Sequence, residues 1–184
     1  MASEEKILNY VVDNKVYILG KFDESISQNV VPNLIKLIEA EKCKKESTIE
    51  FYINSIGGYV NELYNLLSII EIAKKDGIKI VTINMGNAYS CGSLLAVVGN
   101  VRKMFKYATN LMHLGSAGAS VTTLKQIERN SKHLNEHFNN IIDIYKKHTK
   151  MSEKDIKKNL EDDDYYLNAS ECLKYGLVDE IIGE

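Results

Sequence analysis

Twice in this chain a strand-like apolar run ends in glycine and passes directly into a helical pattern, and few folds accommodate that arrangement. The first run spans 48–53 and leads through Asn54-Ser55-Ile56-Gly57-Gly58 into 60–75, where Leu63, Leu66, Leu67 and Ile70 keep helical spacing. The second spans 78–85 and leads through Gly86-Asn87-Ala88-Tyr89-Ser90-Cys91-Gly92-Ser93 into the apolar run 94–98. Successive strand-helix units need crossovers between parallel strands. The expected class is therefore α/β, a largely parallel sheet flanked by helices, with sites at the carboxyl ends of its strands. Both glycine turns lie at such ends.

The remaining pattern extends this plan. Residues 15–19 read as a strand. Residues 27–40 read as a helix with Leu34, Leu37 and Ile38 on one face and Pro32, the only proline, in its first turn, where early N–H groups lack partners. Short strands are expected at 104–107 and 111–113, followed by the glycine-rich Gly115-Ser116-Ala117-Gly118-Ala119. A long helix over 121–147 follows, on which Leu124, Ile127, Leu134, Phe138, Ile141 and Tyr145 keep their spacing. Ser152 with Asp155 marks a helix start, and Asn168 with Glu171 marks another that Gly176 closes. The chain ends on a strand at 177–182. With 184 residues and no repeat or linker, a single domain over 1–184 is expected.

Composition narrows the function. Hydrophobic residues make up 45%, charged residues 26%, and the net charge is −2, values of a soluble globular chain. Lysines are scattered along helices that also carry acids, so nucleic acid is not an expected partner. No apolar run reaches the roughly 18–20 residues of a membrane helix, so no membrane partner is expected. The polar, acidic start does not resemble an export signal. Cys43, Cys91 and Cys172 are odd in number and fit no metal-ligand pattern, so neither disulfide, metal nor cofactor is expected, and the cytoplasm fits best.

The chemistry centres on Ser90. A serine at a strand-to-helix elbow is exposed by the tight turn and faces backbone N–H groups at the positive end of the helix dipole, the conditions a nucleophile needs. The bland alternative is a helix cap. Four histidines could supply a base. His133, His137 and His148 lie on the long helix or at its end among lysines, asparagines and glutamates, and read as solvated. His113 ends a strand directly before a glycine-rich turn, where sheet enzymes display catalytic groups. Asp162, Asp163 and Asp164 read on their own as an acidic turn.

Taken together, Gly86-x-Ala88-x-Ser90-x-Gly92-Ser93, Met112-His113, Asp164, Leu167-Asn168-Ala169 and Tyr175-Gly176-Leu177-Val178-Asp179 resemble the ClpP family, the proteolytic subunits of the Clp protease. Val16-Tyr17-Ile18-Leu19-Gly20, Asp23-Glu24, Tyr52-Ile53-Asn54-Ser55-x-Gly57-Gly58 and Lys147-His148-Thr149 extend the resemblance over nearly the whole chain. It implies a ClpP/crotonase-like α/β fold of repeated β-β-α units, with a head over about 15–114 and 151–184 and a protruding strand-helix handle over about 115–150. It also implies a serine endopeptidase in which Ser90 attacks, His113 carries the proton and Asp164 orients the imidazole, with Gly58 and Cys91 as oxyanion donors. Ile56, Gly57, Leu114, Gly115 and Ser116 would bind substrate.

As partners the resemblance implies unfolded polypeptides, further copies of the chain in heptameric rings that stack as a tetradecamer, and an AAA+ unfoldase such as a ClpX-, ClpA- or ClpC-like protein. Several positions depart from the family pattern: proline is usual at Ile56, alanine at Tyr89, methionine at Cys91, Gln-Pro at Leu114-Gly115, arginine at Asp163 and an aromatic residue at Glu50. Tyr89 is expected to place a bulky ring beside the nucleophile. Two alternatives stay open, a catalytically silent ClpP-like ring subunit and a crotonase-type acyl-coenzyme A enzyme.

Overall fold

The computed structural model of the chain describes residues 8–115, 123–161 and 164–183. Strands β1 (Asn9–Val12) and β2 (Lys15–Ile18) precede helix α1 (Val31–Glu41), β3 (Thr48–Ser55) and α2 (Val60–Lys75). β4 (Lys79–Tyr89), α3 (Cys91–Val97), β5 (Val101–Phe105) and β6 (Thr109–Met112) follow. The chain continues through α4 (Leu124–His148), α5 (Glu153–Glu161), β7 (Tyr165–Leu167), α6 (Ala169–Tyr175) and β8 (Glu180–Ile182). The sheet runs β1-β2-β3-β4-β5-β8 with β6 and β7 branching from it, and is parallel except for β1-β2 and β6-β7. The expected α/β class is the observed one.

β4 is the hinge of the architecture. Its first half pairs with β5 and its second half with β6, so the sheet forks at the level of residues 84–87. Residues Ile80 to Asn84 are all buried, as in a central parallel strand covered on both faces. β3 instead alternates, burying Ile49, Phe51, Ile53 and Ser55 on one face. The apolar ones, Ile49, Phe51 and Ile53, each contribute about 1.5–3 kcal/mol on being taken fully from water. Leu63, Leu66 and Ile70 of α2 and the whole of α3 close over this core.

The differences from the sequence pattern have local causes. The helical stretch expected at 27–40 is present, but Ile26–Val30 form a wider π-helical turn that continues into α1, with Val31 N donating to Ile26 O; Pro32, which has no N–H to donate, sits at that junction. β1 was not foreseen. It folds back on β2 through Asp13, at φ 51°, and the buried Asn9 side chain ties it down by donating to Lys21 O at 2.9 Å and Ser25 Oγ at 2.8 Å. β4 continues past the expected end at 85 to Tyr89, and β7 is too short to show a period. The handle strand expected within 115–119 falls largely outside the described residues.

Candidate active site

Strand register brings the three chemistry-bearing residues to one place. β4 and β6 run parallel with Tyr89 opposite Leu111, which puts Ser90 level with Met112, the residue before His113. β6 and β7 run antiparallel with Met112 opposite Tyr165, so the next pair outward is His113 and Asp164. His113 Nδ1 and Asp164 Oδ1 are 3.1 Å apart. Ser90 and His113 both line a cleft of about 700 Å³. A carboxylate on Nδ1 fixes the tautomer that leaves Nε2 free to accept a proton.

Ser90 itself is held in strain. Its φ of 55° and ψ of −117° lie where a residue with a Cβ is seldom found, at a cost of about 1–3 kcal/mol. Its N–H donates to Leu111 O at 3.0 Å, and its carbonyl accepts from Leu94 N at 3.1 Å to open α3. Although Ser90 occupies the N-cap position, its hydroxyl makes no capping hydrogen bond, so the cap alternative fails; its side chain instead meets the Cys91 thiol.

The glycine turn after β3 supplies the facing wall. Phe22 N donates to Gly57 O at 2.9 Å and Tyr59 N donates to Phe22 O at 2.6 Å, a parallel bridge that flanks Gly58. Gly58 therefore turns its own N–H and C=O to the opposite side, where Cys91 Sγ donates to Gly58 O at 3.4 Å. Gly57 (φ +91°) and Gly58 (φ +152°) must be glycine. A Cβ on Gly57 would lie 2.6 Å from Ser90 Cβ, and one on Gly58 would lie 2.3 Å from Phe22 O. Cys91 opens α3, where backbone N–H groups have no partner within the helix. Burial pushes its thiol up to about 11, so it is an inert neighbour of Ser90.

Of the expected substrate-contacting residues, Ile56, Leu114 and Gly115 line the cleft, and Gly57 backs Ser90. Ser116 and Asp163 lie outside the described residues. Tyr89 departs from expectation: its hydroxyl bonds Thr109 Oγ1 at 2.8 Å and its ring meets Tyr166 edge-on at 5.7 Å, so it braces β6 and β7 rather than crowding Ser90. Glu50 accepts from Tyr52 OH at 3.0 Å, beside a stacked column of Tyr10, Tyr17 and Tyr52.

Of the three histidines read as solvated, His133 is exposed as expected, whereas His137 and His148 are partly buried. His137 stacks on Tyr64 at 5.6 Å, and both His133 and His137 line the Ser90 cleft. His148 is half-buried, and burial, then the charges of Lys74, Lys147 and Arg102, push it down to about 4. Their polar sequence neighbours pointed to water, but the faces of α4 are assigned by what packs on them.

Sequence reasoning also missed two supports. Asn54 Oδ1 accepts from Asn87 N at 3.0 Å, and a Cβ on Gly86 would meet that oxygen at 2.8 Å. Asparagine at the end of a strand was the available signal. Ser93, Asn110 and Tyr145 form a buried chain of hydrogen bonds of 2.7 and 2.8 Å between α3, β6 and α4. Among the described residues no helix is long and apolar enough to cross a membrane.

A family model for Clp protease matches residues 2–184. The chain is 29% identical over 180 residues to the ATP-dependent Clp protease proteolytic subunit of Deinococcus radiodurans, a match covering 97% of this chain and 85% of that protein. With the fold, the register and these matches in agreement, the chain belongs to the Clp protease family.

Proposed function

We propose that this chain is the proteolytic subunit of a compartmentalised, ATP-dependent Clp-type protease, a serine endopeptidase that cleaves unfolded polypeptides. Ser90 attacks the peptide carbonyl, His113 takes the hydroxyl proton and returns it to the leaving amine, and Asp164 stabilises the imidazolium. The N–H groups of Gly58 and Cys91 receive the oxyanion. The observation that carries this reading is a strained, non-capping serine sharing one cleft with a histidine that a carboxylate holds by Nδ1. Ile56, Tyr59 and Leu114 make the cleft rim apolar and exposed, suited to side chains that only an unfolded substrate presents.

Assembly belongs to the same reading. Ile127 and Leu134 of α4 are exposed, and a neighbouring copy in a ring or a stacked ring would cover them. Phe138 of the same helix packs against the core. ATP would be hydrolysed by a partner unfoldase. The test is hydrolysis of a short fluorogenic peptide by wild type and Ser90→Ala, with oligomer mass measured on the same samples. Activity lost in the variant while the oligomer persists supports the mechanism. Equal activity in both refutes it, and oligomers without activity in either favour a silent ring subunit.

A further inference from the structure

His133 and His137 have no part in peptide cleavage as described, yet both line the cleft that holds Ser90. They are four residues apart on α4, the spacing that places two side chains over one another on a single face. The segment His133-Leu134-Asn135-Glu136-His137 has the H-x-x-E-H spacing by which helices hold zinc. Their Nε2 atoms are 2.9 Å apart, with the rings 4.2 Å between centroids and inclined at 72°.

Two imidazole nitrogens sharing a tetrahedral zinc, each at about 2.0–2.1 Å from the metal, stand about 3.3 Å from one another. The pair must therefore open by only about 0.4 Å to chelate an ion. His133 is exposed and free to swing by that amount. His137 is held for the purpose: its ring stacks on Tyr64, whose hydroxyl lies 3.4 Å from Nδ1. A polar partner on one ring nitrogen is what orients the other toward a metal.

We propose that His133 and His137 bind, through their Nε2 atoms, one divalent transition-metal ion of the zinc class on the α4 side of the cleft. Imidazole pairs favour zinc, copper, nickel and cobalt over magnesium or calcium. Among the described residues no cluster of three or more His, Cys, Asp and Glu forms a fuller site, so water or a ligand takes the remaining positions and the ion exchanges. An ion there narrows the approach to Ser90, a consequence that rests on the function proposed above.

The test is calorimetric titration of zinc ion alone into the chelator-treated full chain, repeated with His133→Ala and His137→Ala, with cobalt absorption recorded in parallel. His133 is the cleaner substitution, since it is exposed on a helix that alanine favours. One ion per chain is expected, bound at least about ten-fold more weakly by either variant, with loss of the intense visible cobalt bands. Zinc uptake unchanged in both variants, or no saturable uptake by wild type, overturns the site. A second arm follows fluorophosphonate labelling of Ser90, which zinc should slow in wild type but not in His133→Ala. Labelling that zinc leaves untouched overturns the blocking role, whereas no labelling even without zinc counts against the proposed nucleophile and leaves the metal result standing.

Discussion

Replacing Gly57 by alanine probes the placement of Ser90 without altering Ser90 itself. The new Cβ would lie 2.6 Å from Ser90 Cβ, 2.9 Å from Tyr89 O and 3.2 Å from Ser90 Oγ, where ordinary contact begins at 3.4 Å. Either the turn or the elbow must recoil, by roughly 0.8 Å at the closest contact, because packed backbone has no void to absorb it. A displacement of about 1 Å at an attacking atom costs about 100-fold in rate, equivalent to about 2.7 kcal/mol of transition-state stabilisation. The backbone adds its own penalty. At φ +91° an alanine costs roughly 1–2 kcal/mol of stability, which appears in unfolding and not in turnover. Gly77 separates the two effects, since its φ of +81° imposes similar strain while nothing lies within 4 Å of its Cβ position. Measuring kcat/KM on a fluorogenic peptide beside urea unfolding should show the backbone loss of stability in both variants, with about 1–3 kcal/mol more in Gly57→Ala from its overpacked contact. Only Gly57→Ala should lose about 100-fold in kcat/KM. A folded Gly57→Ala that stays within about threefold of wild type would refute the placement of Ser90 against this turn.

Asp164→Asn preserves the shape of the contact with His113 and removes the charge that, in the proposed mechanism, stabilises the imidazolium; kcat should fall by about 10³-fold or more, and an unchanged kcat would exclude Asp164 from that mechanism. His148 is held at about 4 in the fold against 6.5 ordinarily, so the unfolded chain takes up its proton first. The stability from keeping the ring neutral is fully present above about pH 6.5 and drains as pH falls toward about 4. His148→Asn should therefore flatten the loss of urea midpoint between about pH 7 and about pH 5, and identical slopes would refute the assignment. Iodoacetamide at neutral pH should modify the exposed Cys43 and spare Cys91 and Cys172, whose thiols burial pushes up to about 11 and about 12; peptide mapping that finds Cys91 alkylated in folded protein would contradict its burial.

What the sequence disclosed divides by range. The α2 boundaries and the Asn168-Glu171 start of α6 depend on interactions within a few residues, and both appear as expected, the latter as a full capping box. The meeting of Ser90, His113 and Asp164 depends on two strand registers, one set across β4 and β6 and the other across β6 and β7. No local pattern encodes either register, and the resemblance to a family stood in for them. Tyr89 shows the same limit in reverse. Its neighbour in the chain is Ser90, but strand alternation sends its side chain toward Thr109 and Tyr166. The environment of His137 was equally hidden, since the residue that stacks on it is Tyr64, far away on α2.

The strain at Ser90 needs a frame that does not yield, and the buried polar chain behind it provides one. Ser93 has a single hydroxyl proton and gives it to Asn110 Oδ1, so the Tyr145 hydroxyl must donate to Ser93 Oγ. All three side chains are almost wholly buried, and burial drives the Tyr145 phenol far above its ordinary range, which keeps it protonated as that donor. The chain thereby fastens α3, whose first turn carries the Cys91 N–H, to β6, which His113 directly follows, and to α4. An elbow that relaxed by shifting α3 against β6 or α4 would break one of these bonds without water to replace it, at about 1–3 kcal/mol. That is comparable to the strain it would relieve. The same fastening makes α4 part of the frame, so whatever covers its exposed apolar face, or binds between its histidines, acts on a helix joined by two hydrogen bonds to the strand that His113 directly follows.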